Sequence, residues 1–202
     1  MKSLEEALRH LKKDEQFKVV IKNYPAPVFK KTRNVYGALI RSIVYQQLSG
    51  KVAGTILKRF LDLFEGPSYP KPEELLKVNT ATLREVGLSG QKVSYIQDLS
   101  TKFLDGTIQP KKFKGMSDEE IREHLIAIKG IGRWSADMFL MSSLHRPDVL
   151  PTGDLGIQKG FKKLFALKTL PSVTQMERLA KPWQPYRTVA SMYLWRIADE
   201  DK

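Results

Sequence analysis

The sequence contains no cysteine and only three histidines in 202 residues. The lack of cysteine excludes disulfide bonds, cysteine-ligated zinc, iron–sulfur clusters and thiol nucleophiles. His10, His124 and His145 belong to no recognisable motif, so a histidine-based metal site is disfavoured as well. We therefore expect no metal centre built from side chains.

Long apolar runs are also absent. No stretch approaches the roughly 20 consecutive apolar residues that a membrane-spanning helix requires. The opening segment MKSLEEALRHLKKD carries charges where a signal peptide has an apolar run. The sequence thus predicts a soluble, intracellular protein, located in the cytoplasm or nucleoid of a prokaryote or in the nucleus of a eukaryote.

Acidic residues are outnumbered by basic ones. Asp and Glu total 22 against 34 Lys and Arg, which gives a formal net charge of +12. Such an excess favours a polyanionic partner, either nucleic acid or an anionic membrane surface. The length permits one domain or two small, closely packed ones, and a monomer is the default expectation.

Alternating strand patterns are absent, whereas apolar residues recur at helical spacing. In the clearest case, six residues between Tyr36 and Gln47 are spaced i, i+3, i+4, i+7, i+8 and i+11. Proline and glycine punctuate the chain between such segments. The pattern predicts helices near residues 14–22, 36–47, 51–64, 71–77, 80–86, 90–105, 132–144, 154–166, 173–180 and 186–198.

Two further helix starts carry their own signal. Ser3 with Glu6, and Ser117 with Glu120, match the capping box, in which the two side chains satisfy each other's main-chain amides. Residues 17–21 are apolar enough for a short strand, but they lack a partner run and a hairpin signal. The predicted fold class is therefore all-α.

The most informative segment, residues 125–136, contains an apolar helix that stops at Gly130, Ile131 and Gly132 before a second helix begins. Two glycines one residue apart allow a tight reversal. The unpaired amides at the start of the second helix suit a DNA phosphate, and Arg133 stands beside them. The alternative is a plain helix connection without a ligand.

The segment Ile128-Lys-Gly-Ile-Gly-Arg-Trp-Ser-Ala136 resembles the hairpin of the helix-hairpin-helix DNA glycosylases, the HhH-GPD superfamily. After a Gly- and Pro-rich loop, Asp154 follows Trp134 by 20 residues, which is similar to the spacing in the alkyladenine branch, the 3-methyladenine DNA glycosylase II-like enzymes. Several other ordered blocks between about residues 36 and 196 also match.

The resemblance implies a helix-hairpin-helix glycosylase fold, with two closely packed helical subdomains and the active-site cleft between them. We expect a single such domain over residues 1–202. Its central helical bundle would be residues 35–116. The second part would be residues 1–34 and 117–202, carrying the hairpin at 125–136 and Asp154.

The resemblance also implies an enzyme of base excision repair that flips alkylated purines out of double-stranded DNA and hydrolyses their glycosidic bonds. Cleavage builds positive charge on the sugar, which a fixed carboxylate stabilises, and Asp154 is the candidate. Whether it stabilises this charge or activates the attacking water stays open. The alternative is that Asp154 only caps the helix beginning near Leu155, and both roles are compatible.

Trp134 occupies a position that separates two branches of the family. In the branch that also nicks the strand, a lysine two residues after the second hairpin glycine forms a Schiff base with the sugar. An indole cannot act as an amine nucleophile. We therefore expect base removal without a lyase step.

An alkylated purine is cationic and calls for an electron-rich slot rather than a general acid. Trp134, Tyr193 and Trp195 are the stacking candidates, and core packing is the alternative for each. Met138 replaces a pocket tyrosine of the bacterial alkyladenine prototype, and Gly153 replaces the first residue of its Asp-Asp pair. These two departures leave the lesion preference open.

Base flipping needs a side chain that fills the vacated space. Leu48 is the candidate wedge, because a leucine after this glutamine has that role in the resembling family; Gln47 and Ser49 flank it as DNA contacts. Lys51 and Lys92 each lie by a Gly-containing helix start and are candidate phosphate contacts. Helix-end packing for Leu48 and a solvated surface for the lysines are the alternatives.

No cofactor is expected, apart from a monovalent cation that main-chain carbonyls of the hairpin hold in the resembling family. Two other functions stay open. The first alternative to an alkylpurine glycosylase is a non-catalytic DNA-binding module built on the same hairpin. The second is a glycosylase for a different lesion, such as uracil, hypoxanthine, a mismatch or an oxidised purine.

Overall fold

All regular secondary structure in the described residues of the computed structural model, 3–29, 32, 34–66 and 68–200, is helical. This confirms the all-α prediction. None of these helices is both long and apolar enough to cross a bilayer. The α-helices are α1 (Leu4–Leu11), α2 (Glu15–Asn23), α3 (Val35–Tyr45), α4 (Gly50–Leu61), α5 (Pro72–Leu76), α6 (Thr80–Glu85), α7 (Gly90–Leu104), α8 (Asp118–Ile126), α9 (Arg133–Ser142), α10 (Leu155–Leu164), α11 (Val173–Leu179) and α12 (Arg187–Asp199).

The predicted helix starts are found where the capping residues are. Ser117 and Glu120 form the capping box of α8: the Glu120 carboxylate accepts from the Ser117 amide at 2.6 Å, and the Ser117 hydroxyl accepts from the Glu120 amide at 3.3 Å. The Ser3 hydroxyl accepts from the Glu6 amide at 3.0 Å and begins α1. Residues 17–21 lie within α2, so the helical interpretation of that segment is correct.

The chain divides into two compact units, which we call unit 1 (residues 1–31 and 140–202) and unit 2 (residues 32–139). The sequence-based division placed residues 117–139 with the C-terminal part. The structure instead groups them with residues 35–116, so the hairpin is part of unit 2.

Interactions within unit 2 explain this grouping. The Asp98 carboxylate, on α7, accepts from the Lys129 amide at 2.9 Å. The Gln46 side-chain amide donates to the Gly130 carbonyl at 2.9 Å. The Tyr95 ring packs directly on Gly130. The hairpin is thus held by α7 and by the end of α3. These contacts join segments that are 31 to 84 residues apart, and the sequence pattern does not encode them.

The core of unit 1 is built on close helix contact and aromatic packing. α10 lies against α12 through Gly160, where an added Cβ would come within 2.8 Å of the Leu194 main-chain carbonyl carbon. Fully buried Trp183 stacks on Phe161 at 5.3 Å between ring centroids and meets Phe17 edge-on at 4.6 Å. The N-terminal helices therefore belong to the same core as the C-terminal ones.

In unit 2, the predicted apolar face of α3 is buried from Tyr36 to Val44, whereas Gln47, which was predicted to continue it, lies beyond the end of the helix and is exposed. Tyr36 at its start donates to or accepts from the Ser100 hydroxyl of α7 at 2.6 Å, and burial raises the pKa of Tyr36 to about 12. The buried residues of this face are Tyr36, Gly37, Leu39, Ile40, Ile43 and Val44. Because one face is covered, the C-terminal end of α3 is fixed, and the turn that follows it starts from a rigid base.

Candidate active site and DNA-binding elements

The hairpin joins α8 to α9 through a turn that needs its first glycine. Gly130 has φ of +77°, and a Cβ there would overlap the Tyr95 ring. A Cβ added to Gly132 would meet no heavy atom within 4 Å, so this position is open. Ile128 and Ile131 are buried and fix the turn from inside. The predicted tight reversal is therefore present, with an exposed glycine beside the start of α9.

Arg133, the first residue of α9, is held by an acid. Its guanidinium donates to both carboxylate oxygens of Glu119 at 2.8 and 3.2 Å. Glu119 also accepts from Arg122 at 2.9 Å, and Arg122 donates to buried Asp137 at 2.6 Å. Burial raises the pKa of Asp137, although the Arg122 bond opposes this. A phosphate approaching Arg133 would compete with Glu119 for the guanidinium.

The connection between α3 and α4 exposes the side chains of Gln47, Leu48 and Ser49. Gln47 has φ of +56°, a left-handed conformation that costs a non-glycine residue about 1–3 kcal/mol. The Ser49 hydroxyl caps α4 by accepting from the Val52 amide at 3.4 Å, and Lys51 is exposed in the first turn. Leu48 is thus available as a wedge, and its insertion into DNA stays a prediction.

Lys92 lies in the first turn of α7, but its ammonium is directed to the main chain. Nζ donates to the carbonyl oxygens of Val44 and Gln46, both at 2.8 Å. Burial lowers the pKa of Lys92. The phosphate contact predicted for this lysine stays a prediction, while the structure already gives the ammonium two acceptors at the end of α3.

A pocket of about 540 Å³ lies within unit 2, between the α3–α4 turn and the hairpin. Trp134 and Met138, one turn apart on α9, both line it, so two of the predicted base-pocket residues are together. The Trp134 side chain is 50% exposed, unlike a core tryptophan. Tyr45 and Tyr95 also line the pocket and were not predicted.

Asp154, in unit 1, is half-buried at the start of α10. One carboxylate oxygen accepts from the Ile157 amide at 2.9 Å and from the Trp195 indole N–H at 2.8 Å. A Cβ on Gly156 would come within 2.8 Å of the indole, so glycine is what allows Trp195 to reach the acid. The capping interpretation of Asp154 is confirmed, and two N–H donors fix the orientation of the carboxylate.

The two aromatic residues predicted from α12 have different environments. Trp195 hydrogen-bonds Asp154, a contact across 41 residues that no sequence signal indicated. Tyr193 is 1% exposed in the unit 1 core, edge-on to Phe17 at 6.2 Å, and burial raises its pKa. The position of Tyr193 favours the core interpretation, and stacking of either residue on a base stays a prediction.

Comparison with known proteins agrees with these elements. The model of the HhH-GPD superfamily of base excision DNA repair proteins matches residues 40–185, which include the hairpin and Asp154. The Bacillus subtilis protein YfjP is 36% identical over 81% of this chain, which spans 58% of the length of YfjP.

Two solved structures are similar over nearly the whole chain. The 3-methyladenine DNA glycosylase of Schizosaccharomyces pombe, in complex with abasic DNA, has a TM-score of 0.82 and 33% identity over 95% of each chain. The DNA-3-methyladenine glycosidase of Bacillus halodurans has a TM-score of 0.87 and 34% identity over 96% of this chain and 90% of its own. The chain belongs to the HhH-GPD superfamily of base excision DNA repair proteins, as its hairpin motif predicted.

Proposed function

We propose that this chain is a monofunctional DNA glycosylase that excises N3- or N7-methylated purines from double-stranded DNA and leaves an abasic site. The observation that carries the proposal is Asp154, a half-buried carboxylate fixed by the Ile157 amide and the Trp195 indole; its spacing of 20 residues after Trp134 resembles that of the alkyladenine branch. The names of the Schizosaccharomyces pombe and Bacillus halodurans relatives support the lesion class.

The reaction needs little beyond this carboxylate. The bond between C1′ and the purine nitrogen breaks and its electron pair leaves with the base. A water oxygen forms the new bond to C1′, and one proton of that water passes to the Asp154 carboxylate or to solvent. Because an N3- or N7-methylated purine is cationic, it departs neutral and requires no proton from the protein. Asp154 stabilises the positive charge that develops on the sugar, and a preoriented charge does so without reorganisation during the reaction.

The base is received beside Trp134. A cationic purine over an indole face gains about 0.5–2 kcal/mol from the cation–π interaction, whereas an undamaged neutral base does not. The half-exposed ring and the neighbouring Met138 in the unit 2 pocket support this role. The same tryptophan stands where a lyase needs its lysine, so the abasic strand stays intact.

DNA binding depends on the net charge of +12, the hairpin at 130–133 and the exposed turn at 47–49. The abasic DNA bound to the Schizosaccharomyces pombe relative supports a duplex partner. We expect a monomer that acts where the genome is, in the nucleoid or nucleus. The only non-protein group expected is a monovalent cation on the hairpin carbonyls.

The experiment is base release from duplexes that carry N3-methyladenine, N7-methylguanine, hypoxanthine or uracil, read with and without alkali. The variant Asp154→Asn keeps an oxygen that can accept from Ile157 and Trp195, so the fold and the helix cap should be preserved. We expect it to lose excision by about 100-fold or more while its affinity for a duplex with an abasic-site analogue is unchanged.

Each contrary outcome has a meaning. Wild-type protein that binds DNA but releases no base from any duplex would identify a binding module. Faster release of uracil or hypoxanthine than of methylated purines would reassign the lesion. Strand breaks that appear before alkali would contradict the argument from Trp134.

A further inference from the structure

We propose that Lys92 is a positioning residue for base extrusion: its ammonium holds the α3–α4 turn, residues 46–49, in the shape that presents the wedge, and does not contact DNA. The inference deepens the proposed glycosylase function and rests on it.

The contacts of Lys92 are those of a main-chain support. Nζ lies 2.8 Å from the carbonyl oxygens of both Val44 and Gln46, the last turn of α3 and its C-cap. The last four carbonyls of a helix have no intrahelical partner, and a cation is favoured at this negative end of the helix dipole. Lys92 is itself fixed, because the Ser89 hydroxyl caps α7 by accepting from its amide at 3.2 Å.

Apart from the main-chain hydrogen bonds from the Gln46 amide to the Ile43 carbonyl at 3.3 Å and from the Leu48 amide to the Tyr45 carbonyl at 3.4 Å, the turn that Lys92 supports has few restraints from other side chains. Gln47 is in the left-handed region, a conformation that persists only when its surroundings impose it. Leu48 is 37% exposed, so its side chain restrains the main chain less than a fully buried leucine would. A second side-chain tether is Gln46, whose amide donates to the Gly130 carbonyl of the hairpin at 2.9 Å.

A wedge residue must keep its position when it enters the DNA, because the bases that it separates tend to restack and push it back. A force on an exposed side chain of the turn displaces the main chain at residues 46–48. The hydrogen bonds of the Lys92 ammonium to the Gln46 carbonyl and of the Gln46 side chain to the Gly130 carbonyl oppose that displacement. Without the ammonium, the turn can relax from its left-handed conformation and withdraw the wedge. Base extrusion would become slower, while glycosidic bond cleavage at Asp154 in unit 1 would be unaffected.

The competing interpretation is the direct phosphate contact predicted from sequence. The two interpretations differ in salt dependence, because removal of one phosphate contact reduces the slope of log K against log salt by about 0.9 whatever the lesion. Removal of a support leaves that slope unchanged and selectively impairs DNA whose base is still stacked.

The experiment compares Lys92→Met and Lys92→Arg with Lys51→Met. Lys51 is the matched control for a phosphate contact, because both lysines lie in the first turn of a helix behind a serine cap but Lys51 is exposed, whereas Lys92 is half-buried. Single-turnover excision of N7-methylguanine is measured in a paired duplex and in a bulge where the base is already unstacked. Binding to an abasic-site analogue is measured over a salt series.

We expect Lys92→Met to slow excision from the paired duplex about 10-fold, as loss of hydrogen bonds from a charged group would do, and excision from the bulge less than about 3-fold. Its salt slope should equal that of the wild type, whereas Lys51→Met should flatten the slope. Arginine can donate to two carbonyls, so Lys92→Arg should recover most of the paired-duplex rate.

Lys92 also lines the pocket that contains Trp134, so equal slowing on both substrates would make it a general structural residue or a contact of the flipped base. A flattened salt slope would make it a phosphate contact, and each of these results overturns the proposal. Thermal melting of each variant shows whether it is folded. Lys92→Gln, which keeps an uncharged amide donor group but removes the charge, replaces the methionine variant if that one does not fold. A third readout does not depend on catalysis: 2-aminopurine beside the abasic-site analogue brightens when a wedge unstacks it. Lys92→Met should reduce this signal even if wild-type protein excises no base, which separates failure of this inference from failure of the proposed function.

Discussion

Replacing Gly130 with alanine perturbs the hairpin at one atom. Two independent features of the structure oppose a Cβ at this position. The main chain has φ of +77°, where L-residues are unfavourable, and the added carbon would fall within the Tyr95 ring. The variant therefore tests whether the hairpin turn is fixed by backbone conformation, by packing, or by both.

The two costs can be estimated separately. An L-residue held in the left-handed region costs about 1–2 kcal/mol. Displacing a packed ring such as Tyr95 costs about 1–3 kcal/mol, as for other overpacked sites. The sum for Gly130→Ala is about 2–5 kcal/mol, and at roughly 2–4 °C per kcal/mol for a chain of this size the melting temperature should fall by about 4–20 °C.

The assay is thermal and urea unfolding followed by circular dichroism. Gly132→Ala is the matched control, because a Cβ on Gly132 has no neighbour within 4 Å and its φ lies outside the left-handed region; it should cost no more than about 0.5 kcal/mol. In a Tyr95→Ala background, Gly130→Ala should cost only its conformational part, about 1–2 kcal/mol.

Two results would refute this reasoning. If Gly130→Ala and Gly132→Ala lowered the free energy of unfolding equally, the left-handed conformation of Gly130 would be unimportant. If the cost of Gly130→Ala were the same with and without Tyr95, the ring would contribute nothing to the requirement for glycine.

Two further predictions concern other contacts. Trp195→Phe removes the indole N–H from Asp154 but keeps an aromatic ring. We expect the single-turnover rate constant for base release to fall about 10-fold with little change in DNA affinity, and an unchanged rate constant would contradict this. Burial alone would raise the pKa of Asp98, but hydrogen bonds from the Lys102 ammonium and the Lys129 amide outweigh it and lower the pKa. Ionised Asp98 thus adds stability above its unfolded pKa of about 3.9, and this is lost as pH falls through the lower folded value. Between pH 7 and pH 3, the melting temperature should fall more with decreasing pH for the wild type than for Asp98→Asn. Parallel plots of melting temperature against pH would rule out this contribution.

Much of the fold could be predicted from the sequence because helices are encoded locally. Apolar spacing located α3, and serine caps located the starts of α1 and α8, since both signals depend on residues within one or two turns. The 3₁₀-helices Pro110–Gly115 and Lys181–Trp183 were not predicted, because each has a proline in its first turn, and proline was interpreted as a break between helices.

The candidate site was predicted only in part. The Gly-Ile-Gly turn and the spacing to Asp154 are sequence features, and they identified the family correctly. The partners of the functional groups were not predictable: the donor to Asp154 lies 41 residues away, and the acceptors of Lys92 lie 46 and 48 residues away.

The sequence by itself determined the helices, the hairpin and the acid that follows it, because each depends on residues close together in the chain. Only the tertiary structure decided that the hairpin belongs to unit 2, that Trp195 orients Asp154 and that Lys92 supports a turn. The physical reason is that a hydrogen bond or ring contact between distant segments forms only after helix packing brings them together. Residue type and local spacing do not specify that packing.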